Sequence, residues 1–146
     1  WTVDPVLESV LLAIANVAAG SLFGGMLFFT AFFAPKAFQR LPEGIADRFV
    51  RDLFPPYYML ALAFAGITAV TCAPFRTPEA IIMALVAAGF LFARYYLMPR
   101  TVLAHDEREK GTPGAAAAFA DLHKRSAFLN IVQFIATLIV LIRLAG

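Results

Sequence analysis

The sequence predicts an all-α integral membrane protein: an antiparallel four-helix transmembrane bundle with an amphipathic interfacial helix after helix one. Three observations carry this. The 146-residue chain is 61% hydrophobic and only 15% charged, where soluble domains run near ~25% charged. A soluble fold of this size could not hide so much apolar surface. Uncharged runs extend from Ser9 to Pro35, Leu53 to Phe75, Ala80 to Ala93 and Ser126 to Ile142, and a crossing helix needs about 20 residues. No strand pattern competes, and helices satisfy every backbone group within lipid. One domain is expected, with spans at roughly 7–34, 56–74, 79–98 and 126–144.

Helix one lacks a basic leader, carries Asp4 and Glu8 upstream and is too long for a signal-peptide core, so it is expected to stay in the mature chain. The chain opens at Trp1 without an initiator Met, so further residues are expected before it. Asn16, Gly20 and Gly24 share one face of this helix, and Gly20-xxx-Gly24 is a small-xxx-small pattern that permits close helix approach. That face is expected to be a helix-packing face held by Asn16. A glycine-lined ligand slot is the other use for it. The helix is expected to end near Pro35. Phe38, Leu41, Ile45, Phe49 and Leu53 then alternate with Lys36, Arg40, Asp47, Arg48 and Arg51. This pattern fits a short amphipathic helix lying in the interface, started at Pro42-Glu43 and broken by Pro55-Pro56.

Pro74 to Pro78 make an outer turn into helix three. That helix crosses only with Arg94 near an interface, its stem snorkelling outward while Tyr95 and Tyr96 sit at headgroup level. It is expected to run past Pro99, kinked, into residues 101–110. Gly111 to Gly114 form a turn, Ala115 to Arg125 a helical lead-in, and helix four then meets no Pro or Gly until Gly146.

The basic residues set an expected orientation. Lys36, Arg40, Arg48 and Arg51 follow helix one, and Arg94, Arg100, Arg108, Lys110, Lys124 and Arg125 fall between helices three and four. That leaves only Arg76 and Arg143 of the 12 for the other side. The positive-inside rule then puts both long connections in the cytoplasm and both termini outside, in a bacterial inner membrane. The net charge of +2 reflects this topology, so membrane lipids are the expected partners and nucleic acid is not. Cys72 stands alone, which excludes an intrachain disulfide or thiolate metal cluster.

Function points to helix four. His123, Ser126, Asn130 and Gln133 fall at offsets that keep them on one helical face. Polar groups in hydrocarbon must face other helices, water or a ligand. These four, with Arg94, are the candidate ligand-binding residues. His105 and His123 are weaker candidates for a metal, because the hairpin between helices three and four brings their segments together. Without a metal, His123 is expected to bond a loop carbonyl, His105 to be solvated, and Arg94 to pair with Asp52, Asp106 or Asp121. No catalytic residue is assigned. Ser126 lies one turn from His123, but there is no nucleophile elbow, and no cofactor is indicated.

Several segments carry a family resemblance. They are Gly24-Gly25-Met26, Phe33-Ala34-Pro35-Lys36-Ala37-Phe38, Leu53-Phe54-Pro55-Pro56-Tyr57-Tyr58, Pro99-Arg100-Thr101, and Phe119-Ala120-Asp121-Leu122-His123-Lys124-Arg125-Ser126 with Asn130. In order and spacing the chain resembles the transmembrane protein 205-like family, domain of unknown function 4149. It departs from the family pattern before Pro99, where Arg94 and Tyr95 occupy the area in which the family commonly has an Asn. The resemblance implies a four-helix membrane protein of unestablished activity. Two function classes follow. The first is a non-enzymatic protein binding or handling a small ligand or metal at the cytoplasmic mouth of the bundle. The second is an accessory subunit of a respiratory- or photosynthetic-type assembly, its 15 Phe offering flat surface to other subunits, lipid or pigment.

Overall fold

The computed structural model describes residues 4–146, the side chain of Glu43 apart. Helix α1 (Pro5–Leu27) passes through a π-helical turn, Phe28–Phe33, into α2 (Ala34–Arg40). Helix α3 covers Glu43–Cys72 and α4 covers Thr77–Phe92. A second π-helical turn, Ala93–Leu97, joins α4 to α5 (Met98–Glu109), and α6 runs from Ala115 to Ala145. The described residues therefore form four rods long and apolar enough to cross a membrane, Pro5–Arg40, Gly44–Cys72, Thr77–Glu109 and Ala115–Ala145. This is a polytopic membrane protein. Its first rod of 36 residues is about 54 Å long at ~1.5 Å per residue, so part of it stands beyond a hydrocarbon core of about 30 Å.

Each rod packs against the next, and α6 closes the ring against α1. Ala15, Ala18, Ala19, Leu22 and Met26 form the buried stripe of α1, facing Ala61 and Ala65 of α3. Met83, Val86 and Phe90 line the inner face of α4, and Val140 that of α6. The buried hydroxyls of Thr68, Thr71 and Thr137 bond carbonyls of their own helices at 2.8, 2.7 and 2.8 Å. Each of these three hydroxyls is therefore paired within its own helix. Outside the ring, Val70, Leu85 and Phe128 are each about 70% exposed, which in a membrane is the lipid-facing surface.

The prolines behave in two ways. Proline has no N–H, and its ring collides with the carbonyl four residues back. Ahead of Pro35 and Pro99 the chain loosens into a π turn, with Ala34 N–H donating to Phe29 O and Met98 N–H to Ala93 O, five residues back. Helix one thus continues beyond Pro35 as far as Arg40, and the kinked continuation past Pro99 is present. The break falls at Leu41, which is extended (φ −101°, ψ 151°). At Pro55-Pro56 the expected break is absent and α3 continues past both prolines. The amphipathic segment is accordingly the opening of α3, with Ala46 and Val50 turned inward. The turn before α6 needs its glycines, because Gly111 (φ 78°) and Gly114 (φ 79°) occupy the left-handed region.

Polar clamps hold the two ends. Where α4 begins and α6 finishes, Arg143 Nε donates to Glu79 Oε1 at 2.8 Å. Arg76 Nη1 lies 3.9 Å from the same oxygen and donates to the Arg143 carbonyl at 3.2 Å. At the opposite end, His105 Nε2 meets Asp47 Oδ2 at 2.9 Å, so both long connections lie together.

Candidate ligand-binding site

Near that second clamp, residues of α1, the first π turn, α2, α3 and α6 line a half-open cavity of about 480 Å³. Its polar lining comes from His123, Ser126 and Asn130 of α6, Thr30 of the first π turn, and Tyr57 and Tyr58 of α3. Phe29, Phe54 and Phe134 supply much of the apolar wall. The π turn matters here because it re-aims the residues just before Pro35, and such insertions recur at functional sites. Phe29 packs edge-on to Tyr57, with ring centroids 4.5 Å apart. Thr30 turns its hydroxyl proton back to Met26 O at 2.6 Å, so towards the cavity it only accepts.

The α6 stripe divides. His123, exposed, and Ser126 and Asn130, half-buried, share the cavity, yet among the described residues none has a side-chain hydrogen-bond partner. The bond expected from His123 to a loop carbonyl is not formed. Gln133 does not join them. It is buried and donates to Val86 O at 3.0 Å, so it belongs to the α4–α6 contact. Gly89 makes that possible, since a Cβ there would stand 2.6 Å from Gln133 Nε2.

Arg94 also lies elsewhere. It sits on the second π turn, its guanidinium 5.1 Å from the ring centroid of neighbouring Tyr95. It is absent from the cavity lining, and the expected pairing with Asp52, Asp106 or Asp121 is not among the ion pairs of the described residues. A cation on a long stem can settle over a neighbouring ring and extend to the interface without an acidic partner.

His105 is not solvated; it is 6% exposed. Arg51 Nη1 lies 3.2 Å from its Nδ1 while Nε2 faces Asp47. This network assigns the ring proton to Nε2, leaving Nδ1 as acceptor. Both ring nitrogens are thus engaged, and the one free lone pair, on Nδ1, faces Arg51. Phe119 lies edge-on to His105 (centroids 5.5 Å) and stacks with His123 (6.1 Å), separating the two imidazoles. Among the described residues, no three His, Cys, Asp or Glu side chains are placed to hold one metal ion.

The glycine face of α1 points outward. Asn16 bonds its own helix at Leu12 O, 2.8 Å away, and a Cβ added at Gly20 or Gly24 would meet nothing within 4 Å. The contact expected there inside the bundle is made instead by the alanine stripe, which lies on a different side of the helix. Small-xxx-small spacing permits close approach without saying which neighbour uses it.

A family model, domain of unknown function (DUF4149), matches residues 17–110. The chain belongs to that family. The DUF4149 match takes in the α1, α2 and α3 walls of the cavity, including Thr30, Tyr57 and Tyr58, and ends before the polar stripe of α6. No curated protein and no solved structure matches the chain.

Proposed function

We propose that this DUF4149 protein binds a small amphiphilic molecule in the cavity between α1, α3 and α6, without catalysing a reaction, and that it receives the molecule sideways from one leaflet. The observation that carries this is the unpartnered set His123, Ser126 and Asn130 on the wall of a cavity of about 480 Å³. Unpaired polar groups facing a lipid-level cavity cost free energy that a ligand or water must offset. The volume lies within the usual range of small-molecule sites, about 300–1,000 Å³. The finer kinship to the transmembrane protein 205-like family, suggested by the α6 motif, belongs to the same reading.

Asn130→Leu keeps bulk and removes one polar group. Helix–helix hydrogen bonds in membranes average about 0.6 kcal/mol, and Asn130 makes none within the described chain. The melting temperature in detergent should therefore hold, while the molecule co-purifying with the wild type disappears from solvent extracts analysed by mass spectrometry. Identical extracts from both proteins would reject the site.

The orientation goes with this proposal. With the basic connections in the cytoplasm, the cavity opens to the inner leaflet of a bacterial inner membrane. Lys110→Cys on a Cys72→Ala background should react with an impermeant maleimide only after cells are opened. Labelling in intact cells would reverse the topology.

The outward face of Asn16, Gly20 and Gly24 favours a second reading, an accessory subunit whose α1 seats against another membrane protein. Its mark would be loss of a co-purifying partner from Gly20→Leu.

A further inference from the structure

We infer that the cavity ligand is a neutral amphiphile of the prenylquinone type, a flat carbonyl-bearing ring with a hydrocarbon tail, and that head and tail occupy two adjoining cavities. This rests on the binding function proposed above and specifies its ligand.

The head follows from the lining. No Lys, Arg, Asp or Glu is among the residues around the larger cavity. A phosphate or ammonium head would lose its hydration there without a counter-charge, which disfavours ionic amphiphiles. What the wall offers is hydrogen bonding from His123, Ser126 and Asn130, with the last two one turn apart, about 6 Å along the axis. Such groups suit ring carbonyls. The rest of the wall is aromatic: Phe29, Phe54, Tyr57, Tyr58 and Phe134. Aromatic rings gain most from a flat partner in offset or edge-on contact, and a glycerol head has no such plane.

The tail follows from a neighbouring space. A second cavity of about 180 Å³ lies between α1 and α3, lined by Gly25, Leu60, Phe64 and other apolar groups. Phe29 and Tyr57 line both cavities, so this ring pair is their shared wall. The Tyr57 hydroxyl is buried and has no partner among the described residues, leaving a phenolic donor at the junction. A tail leaving a head beside α6 would reach the Gly25 side by turning these two rings aside, since they alone are common to both linings.

Gly25 allows head and tail to be tested apart. A Cβ there meets nothing within 4 Å, and leucine is a better helix former than glycine. Gly25→Leu should therefore fold normally while filling the smaller cavity. Full-length protein in detergent would be equilibrated with a radiolabelled long-tailed naphthoquinone. Tail-less menadione, a diacylglycerol and a phosphatidic acid would serve as competitors. The expected result is quinone binding displaced by menadione and by neither lipid. Asn130→Leu should weaken both quinones about tenfold, the order expected for one lost hydrogen bond. Gly25→Leu should weaken only the long-tailed one.

Other outcomes separate the two claims. Diacylglycerol binding that is lost in Asn130→Leu, with no quinone bound, would overturn the quinone head and leave the cavity function standing. No probe bound, with identical lipid extracts from wild type and Asn130→Leu, would overturn both. Gly25→Leu weakening both quinones, or neither, would overturn the tail path.

Discussion

Gly89→Leu is expected to lower stability in detergent by about 3 kcal/mol, the upper part of the usual overpacking range, while Gly20→Leu and Gly24→Leu leave it nearly unchanged. The difference comes from surroundings. At Gly89 the new Cβ would lie 2.6 Å from Gln133 Nε2, 3.3 Å from its Cδ and 3.5 Å from Leu129 Cδ1, whereas at Gly20 and Gly24 nothing lies within 4 Å. A smaller change isolates the cause. Gly89→Ala pushes the Gln133 amide off Val86 O and leaves buried polar groups unpaired, which costs about 1–3 kcal/mol. With Gln133→Ala already in place that penalty is gone, and alanine should then exceed glycine by roughly 1 kcal/mol of helix propensity. The sign of the Gly89→Ala effect should reverse between the two backgrounds in a double-mutant cycle of thermal melts. A cost that persists without Gln133 would mean the amide is not what fills the space.

Arg143→Ala should cost more than Glu79→Ala, even though both remove the same 2.8 Å ion pair. Glu79 is 2% exposed, whereas the Arg143 side chain is 52% exposed. Without Arg143 the buried carboxylate keeps only Arg76, at 3.9 Å. Leaving a buried charged group short of partners costs about 1–3 kcal/mol or more. Without Glu79 the guanidinium simply turns to water, and exposed charges contribute little. Melts of the two variants check the order, and equal losses would mean that water already reaches Glu79.

Much of this architecture was legible in the sequence because hydrophobic runs and glycine turns are local signals. The uncharged runs located the four rods, Gly111 and Gly114 marked a left-handed turn, and the residues after Pro99 continued as helix. Proline misled twice for one physical reason. A bundle can absorb a missing N–H by local loosening, as before Pro35, or keep the helix running, as through Pro55-Pro56, so the residue alone does not say where a helix stops. The α6 stripe gave a face, but not which helix stands opposite. Gln133 has Val86 and the space left by Gly89 to bond into, so it was drawn into packing, while Asn130 one turn earlier meets the cavity. His105 was misplaced because Asp47 and Arg51 lie more than fifty residues away in the chain, beyond any periodicity argument. Thr30, Tyr57 and Tyr58 went unnoticed at the site for the same reason. Their only local signal was proximity to prolines that bend or load the helix.

The space beside α6 is expected to hold one defined small molecule rather than bulk lipid. Ala127 lines that cavity without belonging to the polar stripe, and Ile139 faces outward, 46% exposed. A diazirine-bearing residue placed at 127 or at 139, irradiated in intact membranes and followed by mass spectrometry of the protein, compares the two environments directly. Position 127 should carry a single adduct mass that is absent when Asn130→Leu is added, and position 139 should carry the spread of ordinary phospholipids. The same phospholipid spread at both positions would contradict the binding site.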